Sequence, residues 1–415
     1  MTDAQQRRPL GAFLPIVVVA VLANLAILAL FRALPPSRTL GDTSAFIAQA
    51  RNPWAHGFEP PGYPLFLALF LPLGANAVAA VQALVGFGSA IFTYSRTRLR
   101  WLSLAIAACP FLIIFQFQLL TETLACHLLW VGMVLLGWPK RSWEPIAAGI
   151  LFGAAALTRD TFYLLPALLV LATIRTEYFK SSVIAAICAF LTVLPWQLAH
   201  ESARISDGRA GFALWIGTWE RNADWQLPGI PNAAWPADAF RSAEERTLVI
   251  NAIAQHDEAP LSEIALDRIR TSPAAVLETW AIRYPRLWIG TRSDSLTMRF
   301  DRRGPAWHAA KLAFFGLNLA ILLLALVGAW RLRRDPIARL IAVPIVYLGA
   351  VLIPFHNTEP RYSLPAMIPL LFFAGHAFTA FSIAKFRTSA SDLEAAETLP
   401  SEIRQEPAAI ASTVT

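Results

Sequence analysis

Two carboxylates and two arginines stand where apolar stretches of the sequence end: Asp42, Glu122, Arg159 and Arg361. His56, Glu59 and Tyr63 accompany them in the run Pro53-Trp54-Ala55-His56-Gly57-Phe58-Glu59-Pro60-Pro61-Gly62-Tyr63-Pro64, and Tyr362 follows Arg361 directly. An acid held at the lip of a bilayer is costly to keep there, which makes it a functional-site candidate by default. Carboxylates and arginines together suit group transfer from a phosphate ester. Paired arginines hold a phosphate bidentately, and a carboxylate takes the proton of an attacking hydroxyl. The phosphate then departs as an anion, which needs cationic stabilisation more than a strong general acid.

Each of these residues also has a plainer reading. Asp42 can cap a helix that starts at Thr43. Glu122 can be a helix-start acid favoured by the macrodipole, with Thr121 as cap. Arg159 and Asp160 can form a surface pair worth under about 1 kcal/mol. Arg361 can anchor a span at the interface, and His56 can be an ordinary loop residue. Other chemistries lack their signatures. The chain has no His-Glu-x-x-His, no Gly-x-Ser-x-Gly elbow and no phosphate-cradling loop. The Gly86-Phe87-Gly88 run sits inside an apolar span without strand context, so it reads as close helix packing. The three cysteines, Cys109, Cys126 and Cys188, all lie in apolar stretches and imply neither a disulfide framework nor a zinc site.

The elements that must position these residues are membrane spans. The chain has 415 residues, 56% of them hydrophobic and 15% charged, with a mean hydropathy of +0.49. Soluble domains carry about 25% charged residues, so the composition is that of a polytopic membrane protein. The net charge of +7 falls largely in short clusters beside apolar spans, where it reads as a topology signal and not as a nucleic-acid footprint. Fourteen Trp and 26 Phe fit interfacial aromatic belts. The amino terminus lacks a persuasive signal-peptide cleavage site, so its apolar run is expected to stay as a helix.

Hydropathy predicts spans at Leu14–Phe31, Ala75–Tyr94, Trp101–Phe117, Leu124–Trp138, Ile146–Leu157, Phe162–Ile174, Val183–Leu198, Ala309–Trp330, Pro336–Pro354 and Ser363–Ile383. Tyr63–Leu73, ahead of the second span, reads as a half-helix at the outer surface. The positive-inside rule keeps Arg7-Arg8, Arg96 to Arg100, Lys140-Arg141, Arg175, Arg331 to Arg334 and Lys385 in the cytoplasm. Asp42, Glu122, Arg159 and Arg361 then all fall on the opposite face.

The fold class expected is therefore an all-α polytopic membrane protein of about ten transmembrane helices. It has a half-helix in the first outer loop and a mostly helical extracytoplasmic cap between spans seven and eight. Four regions follow: an N-terminal transmembrane module over 1–198, whose first outer loop covers 34–63; the cap over 199–307; a C-terminal transmembrane module over 308–385; and a cytoplasmic tail over 386–415, whose composition predicts disorder. Within the cap, periodic apolar positions predict amphipathic helices over Ala239–Gln255, Leu261–Ile269 and Pro273–Trp288, laid over the outer surface. Pro260 and Pro273 separate them, and Gly208–Gly229 reads as loop or short irregular structure.

Five motifs in this order resemble the GT-C superfamily of membrane glycosyltransferases, with the protein-O-mannosyltransferase-like and aminoarabinose-transferase-like members nearest. They are Asp42 with Pro60-Pro61-Gly62-Tyr63-Pro64, Thr121-Glu122, Gly149 and Gly153 with Leu157-Thr158-Arg159, Leu194-Pro195-Trp196, and Arg361-Tyr362-Ser363-Leu364-Pro365. The likeness covers most of residues 10–385. It departs from the family at Asp160, where Pro is usual, at Phe46, where an aromatic hydroxyl is common, and in offering a lone Asp42 where protein mannosyltransferases have an Asp-Glu pair.

The resemblance implies an inverting transferase that moves a sugar from a polyprenyl-phosphate donor to an acceptor hydroxyl outside the membrane. The acceptor is a lipid, a glycan or a protein. Asp42 would be the general base, Glu122 would orient the acceptor or the base, and Arg159 and Arg361 would hold the donor phosphate. His56, Glu59, Tyr63 and Tyr362 complete the expected substrate-binding set. No cofactor is firmly implied; surface acids could hold a divalent cation, but no ligand spacing demands one. The partners expected are the lipid-linked donor, the acceptor and membrane lipids, with no nucleic acid. The expected location is a plasma membrane, crossed many times, with the active site extracytoplasmic. The rival from another class is a transporter or flippase of lipid-linked sugars.

Overall fold

Eighteen consecutive residues, Leu14–Phe31, form α1, with no charge and no glycine to interrupt them. A computed structural model describes residues 10–31, 43–53, 60–199, 210–219, 239–255, 257–290, 304–355 and 360–378. Among them every regular element is helical. Five helices are long and apolar enough to cross a membrane: α1, α4 (Ala75–Thr97), α10 (Phe179–Ala199), α15 (Pro305–Arg331) and α16 (Pro336–Phe355). Shorter apolar helices complete the bundle: α7 (Glu122–Gly137), α8 (Glu144–Thr158) and α9 (Leu165–Thr173). A last helix, α17, runs over 367–378.

Between α1 and α4 the chain carries α2 (Thr43–Gln49) and then α3 (Gly62–Phe70), which tightens into a 310 turn at Leu71–Leu73. This short helix covers the residues read from the sequence as a half-helix. Gly74 ends it at φ 99°, a left-handed conformation that favours glycine, and lets the chain turn into α4.

The third expected span is not continuous. It breaks into α5 (Arg100–Ala108) and α6 (Pro110–Gln116). Pro110 has no N–H to donate and its ring crowds the preceding turn. Cys109 is accordingly pushed to an extended conformation, at φ −64° and ψ 112°. The sixth expected span is likewise short, with a 310 turn at Asp160–Phe162 before the nine residues of α9.

The bundle has two chemically distinct ends. At one, Arg96 of α4 pairs with the fully buried Glu144 at 2.9 Å, and the Lys140 N–H donates to the same carboxylate at 2.6 Å. Nearby the Arg331 guanidinium, at the end of α15, donates to the Ala377 carbonyl. At the other end α7 begins, α8 ends, and Glu122, Arg159 and Arg361 meet. Among the described residues, Arg96, Lys140 and Arg331 thus lie at one end of the bundle and Glu122, Arg159 and Arg361 at the other.

Beyond α10 lie α11 (Ala210–Trp219), α12 (Ala243–Gln255), α13 (Ala259–Thr271) and α14 (Pro273–Ile289). The last three follow the expected periodicity, and Pro260 and Pro273 sit in the first turns of α13 and α14. Helix α11 corrects the expectation of a loop. Its aromatic residues supply a small core of their own, in which Trp215, Ile216 and Trp219 pack with Val249, Leu261 and Ile264. Glu245, Arg241, Arg268 and Asp267 close its polar side as a chain of ion pairs.

Candidate active site

The site is built around a stretch that is not helical. After α6 ends at Gln116, the chain runs without helix through residues 117–121, and several backbone carbonyls here have no helical partner. Side chains from two other elements take them. The Gln82 amide of α4 donates to the carbonyls of Gln116 at 2.9 Å and Gln118 at 2.7 Å. The Thr43 hydroxyl, first in α2, donates to the Leu119 carbonyl at 3.1 Å. Buried carbonyls without such partners would be costly, so these bonds fix the turn that delivers Glu122.

Tyr63 is tied into the same lattice. Its hydroxyl donates to the Gln82 side-chain oxygen at 3.0 Å, and its ring meets Phe46 edge-on. Gly62 permits this seating. A Cβ at Gly62 would lie 2.7 Å from the Leu157 carbonyl group and 2.8 Å from the Thr158 nitrogen. The start of the half-helix therefore presses on the last turn of α8, immediately before Arg159.

Glu122 is only 2% exposed and receives two guanidinium groups. Arg159 Nη1 lies 3.2 Å from its carboxylate, while Arg361 Nη1 lies 3.9 Å away, a coulombic contact longer than a hydrogen bond. Arg361 Nη2 donates to the Tyr362 hydroxyl at 3.2 Å. The Tyr362 ring also faces both cations, with Arg159 Cζ at 4.6 Å and Arg361 Cζ at 5.0 Å from its centroid. Such contacts suit weakly hydrated guanidinium ions in a low-dielectric site. Among the described residues, two guanidiniums thus converge on one carboxylate in a buried setting. Chemically, this is a place that can receive an anion.

The sequence-based candidates divide accordingly. Glu122, Arg159, Arg361 and Tyr362 come together. Tyr63 is fully buried in the wall beside them, its hydroxyl engaged by Gln82. Asp42, His56 and Glu59 lie outside the described residues, although Thr43, the covalent neighbour of Asp42, is tied beside the Glu122 turn. One of the plainer readings gives way, since Arg159 turns to Glu122 while Asp160 is exposed. Another holds in part: Glu122 does open the first turn of α7, but Thr121 makes no side-chain cap and leans towards Glu122.

Sequence reasoning did not single out a polar seam beneath the site. Gln82, Gly86, Ser89 and Thr93 share one face of α4, spaced as a helix requires. Ser89 Oγ lies 2.8 Å from His127 Nδ1, and the Trp130 indole N–H donates to Thr93 Oγ1 at 2.8 Å. A Cβ at Gly86 would run into the Gln116 side-chain amide and approach His127 Nε2 to 3.1 Å, so close packing does hold there. Gly88 faces open space. The available signal was the period itself: isolated polar residues recurring at helical spacing within an apolar span.

Among the described residues, no group of three His, Cys, Asp or Glu side chains gathers to hold a metal ion. In comparisons with known proteins, the chain matches no protein-family model, no curated protein and no solved structure.

Proposed function

We propose that the protein is a membrane glycosyltransferase that takes a sugar from a polyprenyl-phosphate donor and passes it, with inversion, to an acceptor hydroxyl at the extracytoplasmic face of a plasma membrane. The observation that carries this reading is the convergence of Arg159 and Arg361 on Glu122, with Tyr362 facing both guanidiniums. Two guanidiniums side by side at one end of a bundle of apolar helices suit a phosphate that arrives on a lipid.

In the reaction, the acceptor oxygen forms a bond to the anomeric carbon as the bond from that carbon to the phosphate oxygen breaks. The electron pair leaves with polyprenyl phosphate, whose charge Arg159 and Arg361 offset. The acceptor proton passes to Asp42, and Glu122 holds the arginines apart and in register. The tether of Thr43 to Leu119 supports this role for its neighbour Asp42. In this reading His56 and Glu59 help to bind the acceptor. With the shorter apolar helices counted beside the five long ones, the reading keeps about ten spans.

A second reading, a transporter of lipid-linked sugars, is favoured by the break between α5 and α6 and by the polar seam along α4, since discontinuous helices recur at transporter sites. One experiment separates the two. Purified protein in sealed lipid vesicles is given radiolabelled polyprenyl-phosphate sugars and an outer-surface extract. Label moved into the extract with free polyprenyl phosphate supports the transferase. Label that crosses the bilayer still joined to its lipid supports the transporter.

A further inference from the structure

Helix α14 was expected to lie over the outer surface with its neighbours. Its contacts put its C-terminal end deeper. Tyr284 and Trp288 pack on Gly349 of α16, where a Cβ would lie 3.3 Å from the Trp288 ring and 3.5 Å from the Tyr284 hydroxyl. Gly349 is about 20 Å along α16 from Pro336, which begins at the basic end of the bundle. A second ruler agrees. Asn318 of α15 donates its side-chain amide to the carbonyls of Trp288 and of Gly290, the latter at 3.1 Å. Asn318 is about 20 Å from Arg331, again at the basic end. The hydrocarbon of a bilayer is about 30 Å thick, so both spans put Trp288 and Gly290 well inside it, about 10 Å short of the far boundary.

The chemistry of α14 fits that depth. Among the described side chains of this half, the exposed ones are Ala281, Ile282, Tyr284 and Pro285, whereas Glu278 is exposed one to two turns higher; the side chain of Arg286 lies outside the described residues. Arg283 is buried and turns inward, donating to the Gly217 carbonyl at 3.0 Å. A helix that stops inside hydrocarbon leaves its last carbonyls without water. Here protein side chains serve them: Asn318 for Trp288 and Gly290, and the Ser363 hydroxyl for Leu287 at 2.8 Å. A helix end at an aqueous surface would not require such service.

We infer that the C-terminal end of α14 is a re-entrant membrane element, with Tyr284 and Pro285 against lipid in the leaflet that carries the Glu122 cluster. The occupant of this exposed apolar face is bilayer lipid. The inference is independent of glycosyl transfer and rests on α15 and α16 as spans.

The test is spin-label accessibility in the full-length protein reconstituted into phosphatidylcholine bilayers. Cys188, the native cysteine that is not buried, is replaced by alanine, and the parent is checked for labelling at Cys109 and Cys126. Nitroxides are placed by Tyr284→Cys and Pro285→Cys, with Leu323→Cys on the exposed face of α15 as the lipid reference and Glu263→Cys on α13 as the water reference. The expected result is a ratio of oxygen to nickel-chelate accessibility at 284 and 285 that approaches that at 323 and is severalfold above 263. A ratio matching 263 overturns the inference in favour of a water-facing cap. Low accessibility to both reagents overturns it in favour of a covering protein surface. If Leu323→Cys itself reads as water, α15 is not a span and the inference fails with it.

Discussion

Glu122 and Arg159, far apart in sequence, meet at 3.2 Å with only 2% and 8% of their side chains exposed. Glu122 is the acidic partner that both guanidiniums of the cluster share. Removing one partner of a buried ion pair costs about 3–5 kcal/mol, because the other charge is left without compensation. Glu122→Gln should therefore lower the melting temperature of the protein in nanodiscs. Added polyprenyl phosphate should restore much of the loss, since a ligand of the native state stabilises by mass action. A variant that melts like the wild type, with or without that anion, would contradict the role given to the cluster.

Gln82 is expected to matter more than Tyr63. Gln82→Leu strips a partner from the Tyr63 hydroxyl and from the carbonyls of Gln116 and Gln118. A buried polar group left unsatisfied costs about 1–3 kcal/mol. Tyr63→Phe removes a single bond of the three. Thermal unfolding should rank the variants wild type, Tyr63→Phe, Gln82→Leu in falling order, and a reversal would show that the turn at 117–121 holds itself.

Much of the scaffold was readable because hydropathy and punctuation coincide in it. Leu14–Phe31 is uniformly apolar, and Pro60-Pro61 and Gly74 bracket the half-helix. Other features were hidden for physical reasons. The Cys109-Pro110 break sits in a run whose hydropathy is uninterrupted, so average polarity cannot reveal it. Ala210–Trp219 contains two glycines and is flanked by polar sequence, and only packing against α13 and α16 makes it worth folding as a helix. At the site, the sequence placed Glu122, Arg159 and Arg361 on one face of the membrane. Which arginine pairs with which acid depends on tertiary packing, as does Gln82, which looks incidental in an apolar span until its partners are seen.

Two neighbouring glycines on α4 should behave oppositely. Gly86→Ala drives a methyl into the Gln116 amide and towards His127, and overpacking of this kind costs about 1–3 kcal/mol. Gly88→Ala meets nothing within 4 Å and should be neutral or gain up to about 1 kcal/mol from helix propensity. Paired melting curves check the contrast, and equal shifts would contradict the packing at Gly86.

The small core around Trp215 should loosen in acid. Burial raises the Glu245 carboxyl, but hydrogen bonds from Arg241 and Arg268 outweigh it and hold the group below its ordinary value. A carboxyl depressed in the folded state contributes stability above its unfolded value, about 4.3, and loses it as pH falls through the lower folded value. Tryptophan fluorescence of Trp215 and Trp219 during unfolding should follow that acid-side loss. Glu245→Gln should cost about 2 kcal/mol near neutrality and flatten the acid dependence, whereas the same acid profile in variant and wild type would exclude Glu245 as its source.

The most direct measurement is release of free polyprenyl phosphate from a panel of radiolabelled polyprenyl-phosphate sugars, with wild-type protein and Asp42→Asn compared in lipid, each with an outer-surface extract as acceptor source. The account predicts sugar transfer by wild type and a fall of about 10²–10⁴-fold in the folded variant, the usual cost of losing a general base. Turnover by Asp42→Asn above about a tenth of wild type would remove Asp42 from that role and contradict the mechanism.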